Sequence, residues 1–109
     1  MSAKRPFLGA FVMRSHDHQI LTTTYFNTDT TEPYPETAKR VAAGTEPDDP
    51  FVGSFKATWL QADGSYEVDL TISRARGSSL YRLLWSGKSG VEFQGEAVKE
   101  RDFIFGYYW

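Results

Sequence analysis

From Phe51 to Trp109 the chain alternates apolar and polar positions in short stretches separated by turn residues, the period-two pattern of half-buried strands. "FVGSFKATWL" passes through "QADGS" into "YEVDLTIS". Asp63-Gly64 is a strong hairpin signal, because a two-residue type I′ turn needs positive φ at both central positions. With these two residues as the turn, Trp59 faces Val68, Ala57 faces Leu70 and Phe55 faces Ile72. Lys56 and Thr58 then share the other face with Glu67, Asp69 and Thr71, so one face is apolar and one polar, as a sheet covering a core requires.

In "LYRLLWS" both faces carry apolar residues, and the following "VEFQGEAV" decides between them: Val91, Phe93, Gly95 and Ala97 alternate with Glu92, Gln94 and Glu96. A three-residue loop at Gly87, Lys88 and Ser89 pairs odd positions with odd and leaves Arg82 outside, opposite Gln94. A four-residue loop turns Arg82 inward beside Gly95, where a buried guanidinium needs an anionic partner or a ligand.

The last strand, "FIFGYYW", follows the turn "KERD". Left unpaired, it would present an apolar edge open to intermolecular pairing. The other apolar terminus, "PFLGAFVMR", can cover it, and pairing of first and last strands closes the sheet into a barrel. Phe103, Phe105, Tyr107 and Trp109 are then read as inward and Ile104 and Tyr108 as outward, with the opposite assignment open because the turn lacks glycine. A homodimer burying the same edge is the competing arrangement.

Upstream, "FLGAFVMR" and "QILTTTYFN" form a hairpin about "SHDH". The expected fold is therefore all-β, an antiparallel meander of about seven or eight strands closing into a small barrel, the eighth arising if a long strand bends at Gly9 or Gly53. The connection from Thr28 to Pro50 is rich in Thr, Pro and acidic residues. Within it "PETAKRVAAG" predicts one short helix, with Pro35 and Glu36 in its first turn and Gly44 just past its end. So long a connection suggests a lid, plug or mobile loop near one mouth.

The length of 109 residues gives a single domain, 1–109, with one core. An aromatic share of 16% suits strands, and a formal net charge of −2 offers no field to gather nucleic acid or an anionic membrane. Lys56, Arg74, Arg76 and Arg82 are interleaved with acids, so the aromatic residues lack the basic groove of a nucleic-acid platform. The absence of cysteine removes disulfides and thiolate chemistry. No stretch has the length of a membrane span and the N-terminal apolar run lacks a cleavage site, which reads as cytoplasmic.

A strand ending "ATW", the hairpin "DGSYEVDLTI", "YRLLWSG" followed by "VEFQGEA", and a closing aromatic strand together resemble the meander of the calycin class, the lipocalin, fatty-acid-binding and avidin-type barrels. The resemblance implies a barrel whose interior holds a small apolar molecule.

Candidate chemistry is sparse. His16 and His18 lie two apart, a spacing at which imidazoles can share a metal, but no third histidine exists and the reading is a solvated hairpin turn, with no metal site. "TTTY" places Thr22 and Thr24 on one face and Thr23 and Tyr25 on the other, and one set must face inward to serve as structural hydroxyls or as polar anchors for a ligand. Phe55, Trp59, Tyr66, Tyr81, Trp85, Phe93 and Phe105 either fill the barrel or line a cavity in it; with Tyr25 and Arg82 they are the candidate ligand-binding residues. No catalytic residue, cofactor or buried carboxyl is marked. The leading reading is a non-enzymatic barrel for an apolar or aromatic small molecule. The alternatives are a small-barrel enzyme of isomerase or cyclase type, favoured by a buried carboxyl, Tyr or inward Arg82, and a homodimeric interaction module using the terminal strands.

Overall fold

The "SHDH" turn joins β1 (Gly9–His16) to β2 (Ile20–Asn27), and Asp17 and His18 take the positive φ values that close so short a loop. The structure, a computed structural model, describes residues 6–61, 64–75 and 77–109. From β2 the chain runs through β3 (Tyr34–Ala43), β4 (Gly53–Gln61), β5 (Gly64–Arg74), β6 (Leu80–Gly87), β7 (Gly90–Glu100) and β8 (Phe103–Tyr108). Each strand pairs antiparallel with the next, and β8 pairs with β1 to close an eight-stranded barrel. The apolar last strand thus has partners on both sides, and the edge that called for a second copy is covered.

The connection from Thr28 to Pro50 is corrected: the segment read as a helix is strand β3, and no helix occurs among the described residues. Its helix formers lose to context. An isolated helix of this length is marginal in water, whereas as a strand it satisfies its backbone on β2 and β4 and buries Glu36 and Ala38 inward. Pro35, which lacks an N–H, pairs only with β2, because the β3–β4 ladder begins at Thr37 and Thr58. What remains of the connection lies at opposite ends of the barrel, residues 28–33 at one mouth and 44–52 at the other.

Residues 44–52 plug their end. Phe51 and Val52 are buried, with Phe51 edge-on to Tyr81. Tyr81 Oη donates to Asp49 Oδ2 at 2.7 Å, and Arg74 pairs with Glu46. Arg40 binds the plug to the wall. Its guanidinium lies 4.7 Å from the Phe55 ring centre and donates to the carbonyls of His18, Val52 and Pro50 at 2.6, 2.8 and 2.8 Å. Below the midline Met13, Leu21, Leu70, Leu83 and Ile104 are wholly buried and fill the interior.

The expected face sorting in the β4–β5 hairpin holds, but its register differs by two residues: Trp59 pairs with Tyr66, Ala57 with Val68 and Phe55 with Leu70. A two-residue slip keeps every side chain on its face. The ladder closes on Gln61 and Gly64, and Asp63 lies outside the described residues. Between β6 and β7 a tight turn after Gly87 and a bulge beyond Trp85 together pair odd with odd. Arg82 stands outside, opposite Glu96 instead of Gln94.

In β8 the inward assignment is reversed. Ile104 and Tyr108 are buried, while Phe105, Tyr107 and Trp109 are exposed. A two-residue turn, with Arg101 at φ 55°, pairs Glu100 with Phe103 and so matches the inward odd residues of β7 to the even residues of β8. Gly106 lets β8 lie close against β7, since a Cβ there would fall 1.8 Å from the Glu96 carbonyl oxygen.

Candidate functional site

The other half of the barrel is hollow. A cavity of about 490 Å³ opens at the mouth formed by the β2–β3 loop and the ends of β4 and β8, a size typical of small-molecule sites. Its walls are aromatic because inward positions near this end of successive strands carry rings: Phe11 on β1, Tyr25 on β2, Trp59 on β4, Trp85 on β6, Phe93 on β7 and Tyr108 on β8. Tyr108 is their hub, with ring centres 5.8 to 6.3 Å from those of Phe7, Phe11, Tyr25, Trp85 and Phe93. The wall is thinnest where Tyr34–Glu36 face no β4 partner, and Tyr34, Glu36, Trp59 and Leu60 all line the cavity there.

Glu36 is the chemical centre of this space. It is 8% exposed, and among the described residues no Lys, Arg or His pairs with it. Trp85 Nε1 donates to Oε2 at a long 3.4 Å, and no other hydrogen bond reaches the carboxyl within the described residues. Burial raises its pKa from the ordinary 4.5 to about 7, against a weaker lowering by the Trp85 bond. The group is therefore half ionised near neutral pH, and its cavity-facing atoms can accept or donate a hydrogen bond. Thr23, one pleat from Tyr25 on the same inward face, is 5% exposed, and among the described residues its Oγ1 has no partner.

The Tyr25 and Tyr108 hydroxyls also belong to the polar lining, with Asn27 and, toward the mouth, Asp29, Thr30, Thr31 and Tyr34. Asn27 Oδ1 accepts from the Asp29 N–H at 2.8 Å, which orients the amide so that Nδ2 donates to Tyr108 Oη at 2.9 Å. The Tyr108 oxygen is an acceptor in that bond and keeps its own proton to donate. Burial raises the pKa of Tyr108, and burial followed by the Glu36 charge raises that of Tyr25, so both remain neutral phenols at neutral pH.

Four of the residues expected from the sequence to bind a ligand come together here: Tyr25, Trp59, Trp85 and Phe93 line the cavity. Phe55 and Tyr81 are buried at the plugged end, under Arg40 and against Asp49 respectively. Tyr66 stacks on Trp59 with ring centres 6.0 Å apart and is half exposed outside the cavity lining. Phe105 and Arg82 stand on the outer wall, placed there by the β8 turn and the β7 bulge. His16 and His18 are exposed at the hairpin, where His16 Nε2 lies 2.8 Å from Thr22 Oγ1, and no metal-binding group of three or more His, Cys, Asp or Glu occurs among the described residues.

Glu36 and Tyr108 escape a sequence reading, the first inside an apparent helix start and the second on a strand of undecided parity. The only signal for Glu36 is its two-residue spacing from Ala38 and Arg40 within "PETAKR".

No protein-family model matches the chain, and no match was found among the curated proteins or the solved structures. The closed antiparallel barrel is compatible with several small-barrel folds. Among the described residues no helix is long and apolar enough to cross a membrane.

Proposed function

We propose that this chain is a calycin-like barrel that binds a small aromatic or apolar molecule in its open half. The observation that carries the reading is the division of the interior: one half packed solid with aliphatic side chains and the rings of Phe51, Phe55 and Tyr81, the other an aromatic-walled cavity of about 490 Å³ with an open mouth. A barrel serving only as a rigid scaffold has no need of that space, since each buried ring contributes most when fully packed.

The test uses N-phenyl-1-naphthylamine, a neutral probe whose emission rises in apolar surroundings. Saturable binding in the micromolar range, accompanied by quenching of tryptophan emission and weakened by Trp59→Ala, supports the reading. No enhancement up to the solubility limit of the probe would defeat it.

Glu36 favours a second reading, a barrel enzyme of isomerase or cyclase type. A carboxyl with a pKa of about 7 is suited to taking and returning a proton at neutral pH. A turnover whose pH profile breaks near 7, and which is lost in Glu36→Gln, would identify it.

A further inference from the structure

We infer that the ligand is a protonated aromatic amine, its ring held between the aromatic walls and its ammonium group set against Glu36 and the tyrosine rings. The inference rests on the ligand-binding reading above and names the chemistry of what is bound.

Charge is the first argument. Among the described residues, the ionisable groups that line the cavity are Glu36, Asp29 at the mouth, and the phenols Tyr25, Tyr34 and Tyr108, and no Lys, Arg or His lines it. Against this lining an anionic ligand would meet two carboxyls and no counter-charge. A cation would meet complementary charge where water is scarce and a charge pair strong.

Unmet hydrogen bonding is the second. Among the described residues the Glu36 carboxyl receives only the long indole bond, and Thr23, which also lines the cavity, has a hydroxyl buried without a partner beneath that wall. A buried polar atom left unpaired costs roughly 1–3 kcal/mol. An alkylammonium carries three donors, enough for a Glu36 oxygen and phenol oxygens. A quaternary ammonium has none and leaves the Glu36 carboxyl with the indole bond alone.

The third is aromatic geometry. Tyr25 sits 6.2 Å from Tyr34 and 6.3 Å from Tyr108, centre to centre, so three electron-rich rings cluster in the cavity that Glu36 lines, and the Glu36 charge acts on Tyr25 and Tyr108. Ring faces around a desolvated cation add attraction that a neutral group does not receive.

The experiment compares tryptamine with tryptophol, which share the indole and differ in ammonium against hydroxyl, by calorimetry on the intact protein. At pH 8 tryptamine should bind about tenfold tighter or better. At pH 5.5, where Glu36 is protonated, that preference should shrink by about tenfold. Glu36→Gln should remove the preference, so that tryptamine and tryptophol bind with the same affinity. Independently of any variant, tryptamine binding at pH 7 should release about half a proton, read from titrations in buffers of different ionisation enthalpy, because the ammonium selects the ionised half of Glu36. Proton uptake, or equal affinity for the two compounds with both bound, overturns the inference while leaving the ligand-binding barrel standing. Failure of tryptamine, tryptophol and the naphthylamine probe alike overturns both.

Discussion

Replacing Glu36 with Gln should make the protein more stable at pH 8 and leave it nearly unchanged at pH 4. The side chain is 8% exposed, and burial raises its carboxyl from the ordinary 4.5 to about 7 in the folded state. A carboxyl that holds its proton more tightly when folded gives the folded protein extra bound protons between those two values. Stability is then fully retained below pH 4.5, declines as pH rises, and reaches its lower plateau above pH 7. The gap, at 1.36 kcal/mol for each pH unit, amounts to about 3 kcal/mol. Gln has the shape of the protonated acid and no charge to desolvate, so it avoids that decline. Urea unfolding of both proteins at pH 4 and pH 8 measures the effect. With an m-value of roughly 1–3 kcal/mol per molar, the difference between variant and wild-type midpoints should widen by about 1–3 M from the lower to the higher pH. Midpoints that move in parallel across this range would refute the claim that the Glu36 charge is buried without a partner.

Two other perturbations address the scaffold. Arg40→Lys keeps the charge but cannot hold the carbonyls of His18, Pro50 and Val52 together over Phe55; it should cost about 2–4 kcal/mol in denaturant unfolding, and a loss under about 0.5 kcal/mol would show that the plug is held by Phe51 and Val52 alone. Removing Phe103–Trp109 should expose β1 and β7 as open edges and cause aggregation measurable by light scattering, whereas a folded, monodisperse truncation would show that the barrel does not depend on its seam.

The meander is legible in the sequence because its strands are amphipathic: "SFKATWL" and "YEVDLTI" sort their faces whichever of two registers forms. Closure is legible because "FIFGYYW" has too much apolar surface to be left as an edge. What the sequence hides is set by turn geometry and by tertiary pairing. Whether Ile104 or Phe105 faces inward depends on a two-residue turn at Arg101 and Asp102 that contains no glycine. Arg82 is kept outside by a bulge that no residue type announces. β3 is hidden most completely, since "PETAKRVAA" carries helix propensities that count for little once a gap between β2 and β4 must be filled. Among the described residues the one buried acid lies in that strand, so the misread element and the missed Glu36 are the same error. The aromatic wall was half legible, because Trp59, Trp85 and Phe93 sit on well-patterned strands while Tyr108 does not.

The seam between β1 and β8 also bears on how the chain reaches this state. Seven of the eight ladders join consecutive strands and can form as hairpins with little loop entropy to overcome. The eighth brings Gly9 against Tyr108 and can zip only after almost the whole chain is ordered. Folding should therefore proceed through an open, curled sheet, with the rate set by the search that unites its first and last strands. Until that search succeeds the apolar edge of β8 is free, so the interval before closure is the period in which the newly made protein is most exposed to misassembly.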